Sequence, residues 1–309
     1  MNHDDVVIVA AARTAQGRLK GQLAPLTAVQ LGSAAIAGAL ARGGVSADAV
    51  DAVLVGQVLA AGAGQNPARQ AAIGAGIGWG VHAGSINKVC LSGLTAVIDA
   101  ARMIRLGDAR VMVAAGMESM TRAPHLLMNS RDGYAYGSVE VLDHMAYDGL
   151  TDAYDAESMG ASTERHNGAL GITREAQDAV AARSHQRAAA AQRAGIFDAE
   201  IVPVEVPQRR GASVLVTADE GIRPDTTVET LASLRPAFSK DGTITAGNSS
   251  QISDGASAVI LTSRSHADEN GWQVLAVVGA AGQVAGPDNS LHSQPSRAIA
   301  EACRRQRIA

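Results

Sequence analysis

The sequence predicts an α/β protein. Three observations carry that expectation. Apolar runs of strand length alternate with helix-period segments from Val6 to Gly116. Glycine makes up 33 of 309 residues and aromatics only 3%, so the chain packs with Ala, Val, Ile and Leu and turns on Gly. A hydrophobic share of 47% is enough for a sizeable core, and 18% charged residues argue against disorder.

The elements follow in order. Val6 to Ala12 is a continuous apolar run, as in a buried strand. Ala28 to Ala41 reads as a helix, with Val29, Ala35, Ile36, Ala39 and Leu40 near one face and Gly43-Gly44 as its stop. Val53 to Val58 is the next strand. Leu94, Val97, Ile98, Ala101 and Ile104 fall at helical spacing, and Gly107 ends that helix. Arg110 to Ala115 is a further apolar strand. Strands alternating with helices predict a mostly parallel sheet. From Met120 to Asn167 no period is sustained, which predicts a functional insertion. Thr173 to Ala194 is a long helix with Thr173 as its cap, Glu175 in its first turn and Gly195 past its end. Pro203 to Gly221 reads as strands and turns, and Ala256 to Thr262 as a buried strand. Val274 to Gly282 echoes Val6 to Arg13, and Ser296 to Ile308 echoes the first helix. This partial repeat stops at Ala309 before a second strand, so an incomplete second half is expected.

Composition narrows the function. A net charge of −4 gives no basic footprint for nucleic acid. Two cysteines, Cys90 and Cys303, exclude a disulfide scaffold and a four-cysteine zinc site. No apolar run approaches the roughly 18 residues that span a bilayer. The acidic start, Met1 to Asp5, is unlike a secretory signal. A cytoplasmic protein with neither nucleic-acid nor membrane partners is expected.

The sharpest local feature is Asn87-Lys88-Val89-Cys90-Leu91-Ser92-Gly93. One cysteine precedes an amphipathic helix among small residues. A helix start offers free N–H groups and partial positive charge, which favour a thiolate and hold an oxyanion. Residue chemistry leaves two readings open: a nucleophile, or a buried structural cysteine. Gly74 to Gly80 lacks the G-x-G-x-x-G spacing and reads as a tight turn. His125, His144, His166 and His185 lack ligand spacing and read as surface or loop histidines, and no metal site is expected.

Asn87 to Gly93, followed by Ala115-Gly116-Met117-Glu118-Ser119-Met120-Thr121, resembles the thiolases, the acetyl-CoA C-acetyltransferase family. Further matches come in order: Asp148 to Asp152, Met159-Gly160, Gly171 to Glu175 with Ser184-His185, Asp219 to Pro224, Leu234 to Phe238, Thr245 to Ser250, and Asp254 to Ala256. The Asn-Lys-Val-Cys form is similar to the biosynthetic acetoacetyl-CoA branch.

The resemblance implies a thiolase-like fold of two βαβαβαββ halves stacked as αβαβα layers. The N-terminal half would be 1–119 plus 251–273, the inserted CoA-binding loop domain 120–250, and the start of a truncated C-terminal half 274–309. It implies that Cys90 carries an acyl group and that Leu150, Met159, Arg223, Thr230, Phe238, Ala246 and Ser250 contact CoA. Taken alone, Arg223 reads as a solvated charge and Phe238 and Leu150 as ordinary core. Ser158 stands where the acetoacetyl-CoA branch often has a histidine, a departure that bears on acyl-chain preference. The implied partners are acetyl-CoA, CoA and 3-oxoacyl-CoA, with CoA a substrate moiety and no separate cofactor. A homo-oligomer or a missing C-terminal partner is also implied. The family's Asn-Glu-Ala-Phe, Gly-His-Pro and Cys-x-Gly segments do not occur in this sequence, and Cys303 does not resemble the last of them. Little turnover by the isolated chain is therefore expected. The alternatives are a non-catalytic CoA-binding module or a hetero-oligomer subunit.

Overall fold

A computed structural model of the chain describes residues 5–308. The acidic start read at Met1 to Asp4, and Ala309, lie outside the described residues. In chain order the elements are β1 (Val6–Arg13), β2 (Gly17–Arg18), α1 (Ala28–Gly43), β3 (Ala52–Gly56), α2 (Pro67–Gly74), β4 (His82–Ile86), α3 (Ser92–Leu106) and β5 (Val111–Ser119). Then come β6 (His125–Leu126), β7 (Leu142–Asp143), α4 (Met159–Asn167), α5 (Arg174–Arg193), β8 (Val204–Val206) and β9 (Val214–Val216). The last are α6 (Val228–Ala232), β10 (Ser253–Ser263), α7 (Arg264–Glu269), β11 (Ala276–Val277) and α8 (Gln294–Gln306). No helix among the described residues is long and apolar enough to cross a membrane.

The chain divides into two units. The first takes the chain through Gly149, then Glu200–Glu220 and Ile252–Val278. The second takes Leu150–Ala199, Gly221–Gln251 and the chain from Gly279 on. The loop domain expected at 120–250 is thus shared, with 120–149 and 200–220 in the first unit. β11 also lies in the first unit, past the 273/274 boundary expected from the sequence. Its apolar residues use the free edge of β1, pairing Val7 with Val277 and Ile8 with Ala276.

The first unit is built on a seven-stranded sheet in the order β11-β1-β10-β5-β3-β4, with β2 beside β10. β3 runs parallel to β4 and to β5. β10 runs antiparallel to both β1 and β5. So β1, β3, β4 and β5 share one direction, as strand–helix alternation dictates. The sheet as a whole is mixed, because β10 arrives after a long excursion and no crossover helix sets its direction.

Side-chain alternation splits the core into two faces. Val7, Val53, Val55 and Val113 pack against Ala35, Ile36, Ala39 and Leu40 of α1. Val6, Met112, Ala114 and Leu261 face Ala96, Ala100, Ala101 and Ile104 of α3. A register shift between Ile8 and Ala10 sends both Val9 and Ala10 to the α1 face. Thr27 and Gln30 close a capping box at the start of α1, and Gly44 ends it at φ 61°. On α3 the alanines face the sheet, while Leu94 of the expected apolar stripe is 62% exposed, as are Leu91 and Leu106 to similar degrees. Small residues win the inner face because this helix lies very close to the strands, as the glycines below require.

The second unit buries few apolar side chains: Ala182, Ala189, Leu231 and Ile244 among the described residues. Polar ties supply its order. Glu164 accepts N–H bonds from Thr243 and Ile244, both 2.8 Å. Asp178, buried, accepts from Arg174 at 2.7 Å and from Asn248 at 2.9 Å. Arg174 also donates to the carbonyls of Leu231 and Leu234. These bonds fix the 245–250 turn and α6 against α5.

Candidate active site

The parallel strands of the first unit end together. β3 runs out at Gly56, β4 at Ile86 and β5 at Ser119. Connections leave a parallel sheet at that edge, and ligands collect there. A cleft of about 540 Å³ opens beside these ends, lined by Cys90, Gln57, Glu118, Arg13 and Asp254 together with Gly56, Gly93 and Gly116. Cys90 is exposed, which excludes the buried structural reading. It stands two residues before α3, whose start carries no side-chain cap. The Ser92 N–H is taken by the Val89 carbonyl at 3.0 Å, so it is the N–H groups after it in the first turn that are left to solvent or to an anion formed beside them.

The glycines explain how the helix start reaches the strands. A Cβ on Gly56 would press on the backbone N of Gly93 and lie 2.5 Å from the Ser92 carbonyl carbon. Gly93 in turn lies over Gly116, where a Cβ would meet the Gly116 Cα at 3.6 Å. At Gly56 only bare backbone lets α3 descend onto β3, whereas a Cβ on Gly93 would make ordinary contact with β5.

Charges around the cleft are mostly paired. Arg13 grips Asp219 with two bonds of 2.8 and 3.0 Å and also meets Glu200 at 2.9 Å. Asp254, fully buried, accepts from the Thr121 N–H at 2.9 Å and its hydroxyl at 2.6 Å. Gln57, buried, donates to the Leu59 carbonyl at 3.3 Å, and its Oε1 has no partner among the described residues. Glu118 accepts N–H bonds from Val58 at 2.8 Å and Leu59 at 3.3 Å. Burial pushes its carboxyl above the ordinary carboxylate range, only partly offset by those N–H bonds. A carboxyl raised in the folded state contributes its stability below the ordinary glutamate pKa and loses it as pH rises through the raised value. Glu118→Gln keeps an acceptor oxygen and removes that loss. Its melting temperature, relative to the parent, should therefore rise between about pH 4 and pH 7. An unchanged difference across that range would show that burial does not act on Glu118.

Comparison with known proteins decides the family. Residues 6–265 match the family model described as thiolase, N-terminal domain. The chain belongs to the thiolase family. It is similar to a probable acetyl-CoA acetyltransferase of Mycobacterium tuberculosis, 56% identical over 302 residues, which are 98% of this chain and 77% of that protein. It is 51% identical over 274 residues to an acetyl-CoA acetyltransferase of Cupriavidus necator, covering 89% of this thiolase and 70% of that one. A probable acetyl-CoA acyltransferase of Staphylococcus epidermidis is 43% identical over 300 residues, 97% of this chain and 76% of its own.

The seven positions expected to contact CoA in this thiolase all lie in the second unit. Arg223, Ala246 and Ser250 line one open groove with Ser184, His185 and Ser249. Arg223 is exposed, and its guanidinium makes no hydrogen bond or ion pair among the described residues. Its backbone N–H donates to His185 Nδ1 at 3.2 Å, so the imidazole carries its proton on Nε2. Burial, with the Arg223 charge behind it, holds His185 below the ordinary histidine range. Leu150 and Met159 form a separate cluster, joined by a Met159 N–H bond to the Leu150 carbonyl of 2.9 Å. Phe238 packs on Gly160, where a Cβ would strike its ring. Thr230 is spent on its own helix, closing the capping box of α6 with Thr227. Ser158 caps α4 by accepting the Ala161 N–H at 3.2 Å. That capping role suits serine better than the histidine of the acetoacetyl-CoA branch.

Three histidines depart from the surface-or-loop reading, the first being His166, half-buried on α4 with Nδ1 2.8 Å from the Ser162 carbonyl. His144 is buried, with Nδ1 at 2.5 Å from Asp148 and Nε2 accepting the Ala61 N–H at 3.3 Å. His185 is half-buried in the groove of Arg223, 38 residues away in sequence. The i, i+4 spacing of His144 and Asp148 was the one available signal for His144. Nothing in the sequence pairs His185 with Arg223.

Proposed function

We propose that this thiolase is an acyl-CoA C-acyltransferase that forms or cleaves 3-oxoacyl-CoA, with acetoacetyl-CoA as the substrate expected, through an acyl group carried on Cys90. The observation that supports it most is the exposed cysteine before the uncapped start of α3, in a cleft at the ends of three parallel strands. The Cys90 sulfur attacks the carbonyl carbon of an acyl-CoA. The new C–S bond replaces the bond to CoA, which leaves as its thiolate and takes up a proton. A second acetyl-CoA then loses a proton from its methyl carbon, and the carbanion attacks the Cys90 thioester. A C–C bond forms and the cysteine sulfur departs as a thiolate, which takes up a proton in place of the one the methyl carbon lost. In the opposite direction the Cys90 sulfur attacks the 3-oxo carbon, the C–C bond breaks, acetyl-CoA leaves once its carbanion is protonated, and CoA then takes the acyl group from the cysteine. Splitting one hard step into two is the benefit of the covalent carrier. The reaction calls for no metal and no resident cofactor, since CoA enters with the substrates.

No histidine lines the Cys90 cleft among the described residues. The carboxyls that do, Glu118 and Asp254, are occupied by N–H and hydroxyl donors. A missing general base or acid costs about 10²–10⁴ in rate. The purified 309-residue chain should therefore cleave acetoacetyl-CoA far below the ordinary 1–10³ s⁻¹ of enzymes. A cytoplasmic homo-oligomer, or a partner polypeptide that brings a histidine to the cleft, is the setting for full turnover. Ordinary turnover by the purified chain would mean that groups within it do the proton transfers, and would overturn this account of the cleft.

The CoA contacts are assigned by the same proposal to Leu150, Met159, Arg223, Thr230, Phe238, Ala246 and Ser250. Arg223 offers an uncompensated cation to a phosphate, Ser250 a hydroxyl to the pantetheine amide, and Phe238, Leu150 and Met159 apolar walls. Thr230 Oγ1 donates to the Thr227 carbonyl at 2.9 Å and accepts the Thr227 N–H, so any contact with CoA uses what is left of its hydroxyl. Arg223→Ala should weaken CoA binding by roughly 10- to 100-fold, the worth of a charge-assisted bond. Calorimetric titration with CoA measures it, and parent-like affinity would remove Arg223 from the site.

A further inference from the structure

Val89, the residue before Cys90, has φ +50°. A β-branched side chain rarely adopts the left-handed region, and the conformation costs about 1–3 kcal/mol. Val89 is half exposed, so side-chain packing does not hold it there. Hydrogen bonds do. Its N–H donates to Asn87 Oδ1 at 3.0 Å. Its carbonyl accepts the Ser92 hydroxyl at 2.5 Å and the Ser92 N–H at 3.0 Å. The Ser92 hydroxyl also accepts the Lys88 N–H at 2.8 Å.

Asn87 is itself held from the sheet. Its amide donates to the Val58 carbonyl at 3.4 Å. The Val58 N–H donates to Glu118 Oε2 at 2.8 Å, and the Leu59 N–H reaches the same oxygen at 3.3 Å. A continuous series of bonds thus runs from the end of β5, across the segment after β3, to the turn after β4. Each link belongs to the first unit.

We propose that Asn87 and Glu118 are positioning residues for Cys90: through Val58 they hold Val89 left-handed, and that turn presents the thiol to the cleft. The inference rests on Cys90 as the acyl acceptor. Without Asn87 the Val89 N–H loses its acceptor, and the Cβ drives the turn toward negative φ. The peptide before Cys90 then rotates and the thiol leaves its place beside α3.

The test is native-state alkylation of Cys90 by iodoacetamide, mapped by mass spectrometry, with Cys303 of the same chain as the internal reference. Asn87→Ala should slow Cys90 about fivefold and leave Cys303 unchanged, as the loss of the acceptor that holds the Val89 N–H implies. Asn87→Asp keeps that acceptor but loses the amide that donates to the Val58 carbonyl, so it should slow Cys90 by less than Asn87→Ala. Glu118→Ala should slow Cys90 as Asn87→Ala does, and Glu118→Gln should not. Val89→Gly removes the cost of positive φ, so Asn87→Ala on that background should have little effect, a non-additive cycle. The glycine background also keeps the test open should Asn87→Ala alone melt below the assay temperature. Parent-rate alkylation in Asn87→Ala, or equal slowing on both backgrounds, would overturn the proposal. Alkylation as expected, with no acyl transfer from acetoacetyl-CoA to Cys90 in the parent chain, would instead overturn the acyl-acceptor assignment and leave the positioning geometry standing.

Discussion

Cys90→Ala should end acyl transfer to the chain altogether while leaving its fold intact. The side chain is exposed and its neighbours hold the turn by backbone and Ser92 bonds, so nothing packed is removed. The thermal transition should stay within about 0.5 kcal/mol of the parent, as for surface substitutions away from special features. The chemical effect is of another order. With no sulfur at the cleft there is no covalent carrier, and loss of a nucleophile removes the whole covalent route rather than a fraction of it. Loss of acetoacetyl-CoA with CoA present, followed by its absorbance, should fall to the protein-free rate. Continued loss with Cys90→Ala would assign the chemistry to another group.

Gly56→Ala carries the largest expected effect on the scaffold. The added methyl would press on the Gly93 N and lie 2.5 Å from the Ser92 carbonyl carbon and 2.8 Å from the Gly93 Cα. All three are backbone atoms at the start of α3, so no flexible side chain can yield. Overpacking of this kind costs about 1–3 kcal/mol, and more where backbone must move. For a chain of this size the melting temperature should drop by roughly 3–10 °C. Because α3 begins two residues after Cys90, the same shift should slow Cys90 alkylation. Gly78→Ala is the control, since a Cβ there meets nothing within 4 Å. Equal melting temperatures for the two variants would contradict the close approach of α3 to β3.

Much of the first unit was legible in the sequence because strand and helix signals there are local. Gly44 ends α1 and Gly107 at φ 81° ends α3, and in the second unit Thr173 caps α5. What local pattern does not carry is who pairs with whom. β10 slips between β1 and β5 after a long excursion, and its direction follows from partners far away in sequence. Leu94 has the spacing of an inner residue, yet alanines occupy the face of α3 that meets the sheet. The deciding fact is the height of the helix above β3, set by Gly56.

The candidate site divides in the same way. Cys90 was legible from its small neighbours and its place before a helix. The strain at Val89, the burial of Glu118 and the Asn87 link to Val58 arise only when three strand ends are brought together. His185 became a groove residue by meeting Arg223, and His144 a buried one by meeting Asp148 and the Ala61 N–H. Of the positions inferred from the thiolase resemblance, Arg223, Ala246 and Ser250 share a groove because Asp178 and Asn248 fix the turn that bears two of them.

The most direct test of the central claim is to incubate the chain with acetoacetyl-CoA, quench in acid and map the acyl group by peptide mass spectrometry. A single acetyl group on the peptide bearing Cys90, and none on the one bearing Cys303, is the result this structure predicts. A folded chain that acquires the group on Cys303, or on no cysteine at all, would contradict the assignment of Cys90 as the acyl carrier.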